Sequence, residues 1–181
     1  MKTLQLTLIL GGARSGKSTY AEQLATTTAE KIVFIATAEA GDEEMARRII
    51  RHKAARPAGW QTLEATQQIA DRYLELDPKP EAVLLDCITL LVSNILLSFP
   101  EETNLDDLQN AVDQEIDGLL VSMAYSAVPW FVVSNEVGLS LVSPYALGRK
   151  YTDLLGRANQ RLAAAASSVI FMVAGIPMKV K

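Results

Sequence analysis

The sequence predicts an α/β protein with a doubly wound, mainly parallel sheet that is covered by helices on both faces. Short apolar runs alternate with longer amphipathic segments, and the first run leads directly into a glycine-rich turn. That alternation is typical of parallel strands buried between helices. No repeat, low-complexity tract or long linker divides the 181 residues, so we expect residues 1–181 to form a single domain.

The individual strands and helices follow from the spacing of apolar side chains. The predicted strands are Leu4 to Leu10, Lys31 to Thr37, Ala82 to Asp86, Trp130 to Ser134 and Val169 to Ala174. The predicted helices are Lys17 to Ala29, Asp42 to Ala55, Thr66 to Leu76, Leu90 to Phe99, Leu105 to Ser126 and Ala146 to Ala166. The tail from Ile176 to Lys181 is predicted to return as an edge strand with its lysines facing outward.

A phosphate-binding loop is predicted where the first strand passes into the first helix. The loop fits the pattern G-x-x-x-x-G-K-[ST], and its residues are Gly11, Gly12, Ala13, Arg14, Ser15, Gly16, Lys17 and Ser18. Backbone N–H groups converge on one point at such a turn, which suits a polyphosphate. Lys17 can reach the β- and γ-phosphates, and the Ser18 hydroxyl suits Mg²⁺. The motif predicts a nucleoside triphosphate-binding protein with a P-loop NTPase (RecA-like) fold.

Polar side chains also follow the third and fourth predicted strands, at the edge where open α/β sheets bind ligands. Asp86 ends an apolar run and is typical of a Walker B acid, so Ser18 and Asp86 are the predicted Mg²⁺ ligands. Asn135 and Glu136 follow the fourth strand. They either orient phosphate and acceptor groups or form a solvated turn, and the spacing supports both interpretations equally.

The single histidine belongs to a basic pattern with helical spacing. Arg48, His52 and Arg56 are four residues apart, so they share one helical face until Pro57 ends the segment. Two guanidinium neighbours keep an imidazole neutral near pH 7, and guanidinium groups also match phosphate oxygens. His52 is therefore a candidate nucleophile facing a phosphate, although a solvated basic stripe would have the same spacing.

Composition argues against several other classes of protein. The net charge of −4 and a pI near 5.1 disfavour a broad surface for nucleic acid. No apolar stretch is long enough to span a membrane, and no signal-like segment opens the chain. The single Cys87 lies in an apolar run, which predicts a buried, reduced thiol in a cytoplasmic protein.

Several motifs together resemble one known enzyme family. Besides the phosphate-binding loop, they are Ile35-Ala36-Thr37, Arg48-Ile49-x-x-His52-Lys53-x-x-Arg56-Pro57-x-x-Trp60, Asp86-Cys87-Ile88-Thr89, Ser134-Asn135-Glu136-Val137-Gly138 and Gly156-Arg157-x-Asn159-Gln160-Arg161. Their combination looks like the bifunctional adenosylcobinamide kinase/adenosylcobinamide-phosphate guanylyltransferase of cobalamin synthesis. The likeness runs from Leu8 to the terminal lysines.

The resemblance implies two reactions on one protein. In the first, a nucleoside triphosphate phosphorylates the aminopropanol hydroxyl of adenosylcobinamide. In the second, the histidine attacks the α-phosphate of GTP, expels pyrophosphate and carries GMP to adenosylcobinamide phosphate, which gives adenosylcobinamide-GDP. A corrinoid is then the partner, Mg²⁺ the cofactor and GTP the co-substrate, with ATP open as the phosphoryl donor. Family members assemble as trimers, so the resemblance also implies a homo-oligomer.

Each matching residue receives an implied role. His52 matches the guanylylated histidine, and Lys17 and Arg56 are expected to neutralise phosphate charge beside it. Further nucleotide contacts are implied at Ala36, Thr37, Ala38, Lys53, Ala54, Ala55, Arg56, Glu64 and Asp86. The residues guessed to meet the corrin ring are Asn135, Glu136, Asn159 and Arg161. We also expect the helix bearing His52 to move between the two reactions.

Two other functions fit the phosphate-binding loop. A single-step kinase of a small metabolite would use His52 and its arginines as a lid over phosphates, without a covalent nucleotide adduct. A nucleotide-dependent switch or RecA-like assembly module would associate with a macromolecule and release no small-molecule product. The acidic charge and the lack of a basic DNA-binding stripe argue against this last function.

Overall fold

The strands form one sheet, with helices on both of its faces. The computed structural model describes residues 4–39, 43, 47, 50, 53, 57 and 59–181. Its strands are β1 (Leu6–Gly11), β2 (Ile32–Ala36), β3 (Gln61–Glu64), β4 (Ala82–Asp86), β5 (Trp130–Val133), β6 (Ser168–Val173) and β7 (Ile176–Lys179). Its helices are α1 (Lys17–Thr28), α2 (Ile69–Leu74), α3 (Ile88–Leu97), α4 (Leu105–Ser126) and α5 (Ala146–Ala165).

The order of the strands puts β1 inside the sheet. Within the described residues, the order is β3-β2-β4-β5-β1-β6-β7. All neighbouring pairs are parallel except β6 and β7, which are antiparallel. Leu8 of β1 lies opposite Val132 on one side and Val169 on the other. The predicted doubly wound, mainly parallel α/β fold is therefore confirmed.

Alternate side chains of the central strands point into two separate cores. Leu8 belongs to a core formed with α2, α3, α4 and α5, whereas its neighbour Ile9 belongs to a second core with α1. Both side chains are fully buried. Continuous apolar runs in the strands are the expected consequence, because each strand is covered on both faces.

The strand predictions are confirmed except for one omission. The five predicted apolar runs coincide with β1, β2, β4, β5 and β6 within two residues, and the tail forms β7 with Lys179 exposed. Strand β3 was not predicted from the sequence. This strand lies at the edge of the sheet and only Leu63 is even partly buried, so it has no apolar run to reveal it.

Two predicted helices begin two or three residues away from their predicted starts. The helix expected from Leu90 begins two residues earlier, at Ile88. The helix expected from Thr66 begins only at Ile69, because Gln68 has a left-handed backbone (φ +54°). The Glu115 carboxylate accepts hydrogen bonds from the backbone N–H groups of Gln68 and Ile69, both at 2.9 Å, and so fixes this start.

The predicted helix from Asp42 to Ala55 lies largely outside the described residues. Its described members Glu43, Arg47, Ile50 and Lys53 have helical backbone and are exposed. Among the helices of the described ranges, none combines the length and apolar character needed to cross a membrane.

Candidate active site

The phosphate-binding loop has a backbone that demands glycine at its first position. Gly11 has φ +153°, and a Cβ there would lie 2.6 Å from the carbonyl oxygen of Met172 and 2.7 Å from Ser15 Oγ. Gly16 has φ +92° and precedes α1, with the Cα of Gly175 3.3 Å from its hypothetical Cβ. Both glycines therefore permit a close chain approach that other residues would obstruct.

The chain segments that follow two neighbouring strands hold the phosphate-binding loop in place. The backbone N–H of Gly175, in the turn between β6 and β7, donates to the carbonyl oxygen of Ser15 at 3.0 Å. The backbone N–H of Glu136, beyond β5, donates to the carbonyl oxygen of Gly11 at 3.0 Å. The loop is thus fixed by backbone contacts to the chain segments after β5 and β6.

Lys17 is a buried cation at the start of α1. Only 8% of its surface is exposed, and its Nζ donates to the carbonyl oxygen of Gly12 at 2.6 Å. Burial lowers the pKa of Lys17 from its ordinary value, while the nearby charge of Asp86 acts in the opposite direction. The hydrogen bond to Gly12 keeps the Lys17 ammonium close to the loop.

A cavity of about 830 Å³ extends from this loop across the carboxyl ends of β4, β2 and β3. It brings together most of the site residues expected from the sequence, which are Ala13, Arg14, Ser15, Gly16, Lys17, Ser18, Ala36, Ala38, Lys53, Glu64 and Asp86. Asn135 lines it as well. The same cavity is therefore lined by residues of the phosphate-binding loop, of the strand ends and of the edge strand β3.

Some expected site residues do not line this cavity, and others are not described. Gly11 and Gly12 are not among its lining residues. Thr37 is fully buried, and its hydroxyl donates to the carbonyl oxygen of Cys87 at 2.7 Å and accepts from the Cys87 N–H at 2.8 Å. The remaining predictions fall outside the described residues, namely Arg48, His52, Ala54, Ala55 and Arg56.

An ion pair links the segment after β2 to the cavity wall. Lys53, which directly follows His52 in sequence, pairs through Nζ with Oε1 of Glu64 at the end of β3. Both side chains are substantially exposed and both line the cavity. The residue next to the only histidine is therefore connected to the same cavity as Lys17 and Asp86.

The family of the chain follows from its match to known sequences. A sequence model of the family described as cobinamide kinase / cobinamide phosphate guanyltransferase matches residues 7–180. The chain belongs to this family. The match includes the phosphate-binding loop, Asp86, Glu64 and the histidine segment.

Curated relatives of this cobinamide kinase / guanyltransferase family align with nearly the whole chain. The bifunctional adenosylcobalamin biosynthesis protein CobU of Salmonella typhimurium is 41% identical over 180 residues, which cover 96% of this chain and 98% of the relative. CobU of Escherichia coli is 39% identical with the same coverage. The bifunctional protein CobP of Pseudomonas aeruginosa is 42% identical over 174 residues, covering 96% of each chain.

The fold of this family member also resembles that of a RecA-like protein. The crystal structure of the RadB recombinase matches with a TM-score of 0.51 and 15% identity, over 92% of this chain and 73% of the other. At that identity the likeness concerns the fold alone. It supports the predicted P-loop NTPase (RecA-like) fold.

Residues that the sequence analysis guessed for the corrin ring make contacts within the protein. Arg161 forms ion pairs with Asp113, at 2.5 Å, and with Asp117, which join α5 to α4. The Asn159 amide donates to the carbonyl oxygen of Asn135 at 3.0 Å. Oε1 of Glu136 accepts from the N–H of Gly138 at 2.6 Å, which favours the turn interpretation for this residue.

Several residues that line the cavity were not among the predicted site residues. They are Thr19, Phe34, Glu39, Thr66, Arg72, Cys87, Thr89, Leu90 and Val133. Arg72 is the one new cation among them, and it lies on α2, which follows the missed strand β3. Cys87 was expected to be a buried thiol. It is partly buried, and burial raises its pKa to about 12, with the charge of Asp86 acting in the same direction.

Proposed function

We propose that the protein phosphorylates adenosylcobinamide and then transfers GMP from GTP to the product, giving adenosylcobinamide-GDP for cobalamin synthesis. The observation that carries this proposal is the continuity of one cavity from Lys17, past Asp86, to Glu64. A kinase needs the first two of these. The cavity also extends to residues that precede and follow the segment containing His52 in sequence. This extension supports a second reaction on a nucleotide bound in the same cavity.

The kinase step takes place at the phosphate-binding loop. The aminopropanol oxygen bonds to the γ-phosphorus and loses its proton to water, while the bond from that phosphorus to the β–γ bridging oxygen breaks. The nucleoside diphosphate leaves with the electron pair. Lys17 exchanges the carbonyl oxygen of Gly12 for phosphate oxygens, and the loop N–H groups stabilise the charge that develops there.

The guanylyl transfer uses His52 as a nucleophile. A ring nitrogen of the neutral imidazole bonds to the α-phosphorus of GTP, and the bond to pyrophosphate breaks. An oxygen of the acceptor's phosphate then bonds to the same phosphorus, and the phosphorus–nitrogen bond breaks to release the imidazole. Division into two displacements lets a bulky acceptor approach after pyrophosphate has left. Lys17 and Arg56 neutralise the phosphate charge in this proposal.

The chain offers suitable oxygen ligands for Mg²⁺. Ser18 and Asp86 both line the cavity and supply the hard oxygen atoms that this ion prefers. In the described ranges, no group of three or more His, Cys, Asp or Glu residues forms a complete metal cage. Mg²⁺ usually takes its other ligands from nucleotide phosphates and water. Bound there, Mg²⁺ would neutralise phosphate charge.

The remaining elements of the proposal rest on the resemblance described in the sequence analysis. GTP is the guanylyl donor, and either ATP or GTP serves the kinase step. The further nucleotide contacts are Ala36, Thr37, Ala38, Lys53, Ala54, Ala55 and Glu64. We also place the protein in the cytoplasm as a homotrimer, with residues 1–181 as a single domain.

A labelled nucleotide tests the second reaction directly. The protein is incubated with Mg²⁺ and GTP labelled at the α-phosphate, and its intact mass is measured. We expect one GMP to be added, with a bond that acid breaks and alkali does not, and we expect adenosylcobinamide phosphate to remove it. His52→Ala should abolish the label and retain the kinase reaction.

Arg47→Gln is the matched control for that substitution. Arg47 lies in the same predicted helix, has helical backbone and pairs with Glu43 at 3.3 Å, away from the cavity lining. Its variant should label like the original protein. Phosphorylated cobinamide without any protein label would favour the single-step kinase, and the absence of both products would overturn the proposal.

A further inference from the structure

One side chain contacts both ends of the segment that contains His52. The chain passes Thr37 just after β2 and reaches Thr66 just after β3, and His52 lies between them in sequence. Asn94 on α3 donates from Nδ2 to the carbonyl oxygen of Thr37 at 2.9 Å and to that of Thr66 at 3.2 Å. Because a primary amide has two N–H donors, this junction uses its full donor capacity.

The backbone of Asn94 takes part in the same junction. Its carbonyl oxygen accepts a hydrogen bond from Nε2 of Gln67 at 3.1 Å. Next to this contact, the N–H of Ala65 donates to the carbonyl oxygen of Ala36 at 2.9 Å, which continues the pairing of β2 with β3. Four hydrogen bonds therefore hold the two ends of the segment to each other and to α3.

The same junction is connected to Asp86. The Thr37 hydroxyl exchanges two hydrogen bonds with the backbone of Cys87, and the Thr37 N–H donates to the carbonyl oxygen of Asp86 at 3.3 Å. Asn94 itself does not line the cavity, whereas Ala38 and Thr66 do. The amide of Asn94 thus acts on residues of the cavity wall without reaching the cavity.

We propose that Asn94 is a positioning residue for the guanylyl transfer. By joining Thr37 to Thr66, it fixes both attachment points of the His52 segment relative to Asp86 and the nucleotide. Fixed attachment points favour the orientation of reacting groups that transfer between them requires. This inference rests on the proposed function, because the His52 step gives the segment its chemistry.

Asn94→Asp is the substitution that tests the anchor. The carboxylate keeps the size of the amide but has no donor, and it would face two carbonyl oxygens. We expect faster amide hydrogen exchange in peptides containing Ala38 and in peptides containing Thr66 to Gln68. We expect the rate of GMP attachment to fall at least about tenfold, with the kinase kcat within about threefold of the original.

Gln5→Glu is the matched control. The Gln5 amide also donates to a backbone carbonyl oxygen, that of Ala127 at 3.0 Å, and neither residue lines the cavity. The same amide-to-carboxylate change there should alter neither the exchange at the junction nor GMP attachment. Gln67→Glu is a milder second variant, since it removes only the donor to the Asn94 carbonyl. It should change both readouts in the same direction as Asn94→Asp.

The possible outcomes separate this inference from the proposed function. Unchanged hydrogen exchange at the junction in both Asn94→Asp and Gln67→Glu would overturn the anchor. Equal losses of kinase and guanylyl transfer in Gln67→Glu would show a general structural role and overturn the positioning role. If the original protein attaches no GMP, the proposed function fails, and hydrogen exchange still decides whether Asn94 holds the junction.

Discussion

The ammonium of Lys17 and the carbonyl oxygen of Gly12 are joined by a 2.6 Å hydrogen bond across the phosphate-binding loop. This contact gives the buried ammonium a hydrogen-bond acceptor within the loop. Phosphate oxygens carry negative charge and make stronger charge-assisted hydrogen bonds than a neutral carbonyl. An entering polyphosphate should therefore take over the ammonium, which the loop already holds in place.

Lys17→Met should remove most of the kinase activity. The substitution keeps most of the length of the side chain and removes its charge, so the transferring phosphoryl group loses a preorganised cation. We expect kcat/KM to fall by at least about 100-fold, as when one electrostatic stabiliser of a transition state is removed. The control is Lys31→Met, because Lys31 is exposed and does not line the cavity. Comparable activity of the two variants would contradict this role.

Glu64→Gln should reduce GMP attachment without destabilising the protein. The ion pair between Lys53 and Glu64 is substantially exposed, and such pairs add only about 0–1 kcal/mol to stability. If the Glu64 carboxylate acts on the nucleotide in the cavity, its loss should affect the reaction more than the stability. We expect the rate of GMP attachment to fall about tenfold. The Tm should change little.

Glu43→Gln is the control for this prediction. Glu43 pairs with Arg47 in the same part of the chain, but neither residue lines the cavity. Its variant should match the original protein in both the Tm and the rate of GMP attachment. If Glu64→Gln also matches the original protein in both, Glu64 has no part in the reaction.

Local sequence patterns were sufficient to predict the part of the site near the phosphate-binding loop. Asp86 directly follows one apolar run, and Lys17 belongs to the glycine-rich loop that follows another, so the placement of both residues follows from the preceding strand. The far side of the cavity was harder to predict. Arg72 lies on the short helix α2, which follows the exposed edge strand β3. This helix begins where the Glu115 carboxylate accepts hydrogen bonds from the backbone. Contacts between residues so distant in sequence leave no periodic pattern, and the same is true of Asn94 with Thr66.

Gly11→Ala should destabilise the fold as well as the nucleotide site. Its Cβ would lie 2.6 Å from the carbonyl oxygen of Met172, and the backbone has a φ that side chains disfavour. We expect a loss of about 2–4 kcal/mol in the free energy of unfolding, from backbone strain and overpacking together. Gly12→Ala is the matched control for denaturant unfolding, because its Cβ would meet nothing within 4 Å. Equal stability of the two variants would refute the steric argument.

Alkaline pH should destabilise the protein partly through Cys87. Burial raises the pKa of its thiol from 9.0 to about 12, so the folded state holds the thiol proton more tightly than the unfolded state. The stabilisation is complete below about pH 9 and is lost as the pH rises toward about 12. Burial raises the pKa of Tyr151 to about 12 and adds a loss of the same sign, whereas the lowered pKa of Lys17 acts in the opposite sense.

Cys87→Ser tests the thiol contribution, because serine does not titrate in this window. We expect the Tm of the original protein to fall more steeply between pH 9 and pH 11 than that of Cys87→Ser. Melting curves at pH 7 provide the reference, since the thiol is protonated in both folded and unfolded states there. Parallel curves for the two proteins over the whole range would mean that the thiol titrates at the same pH in both states.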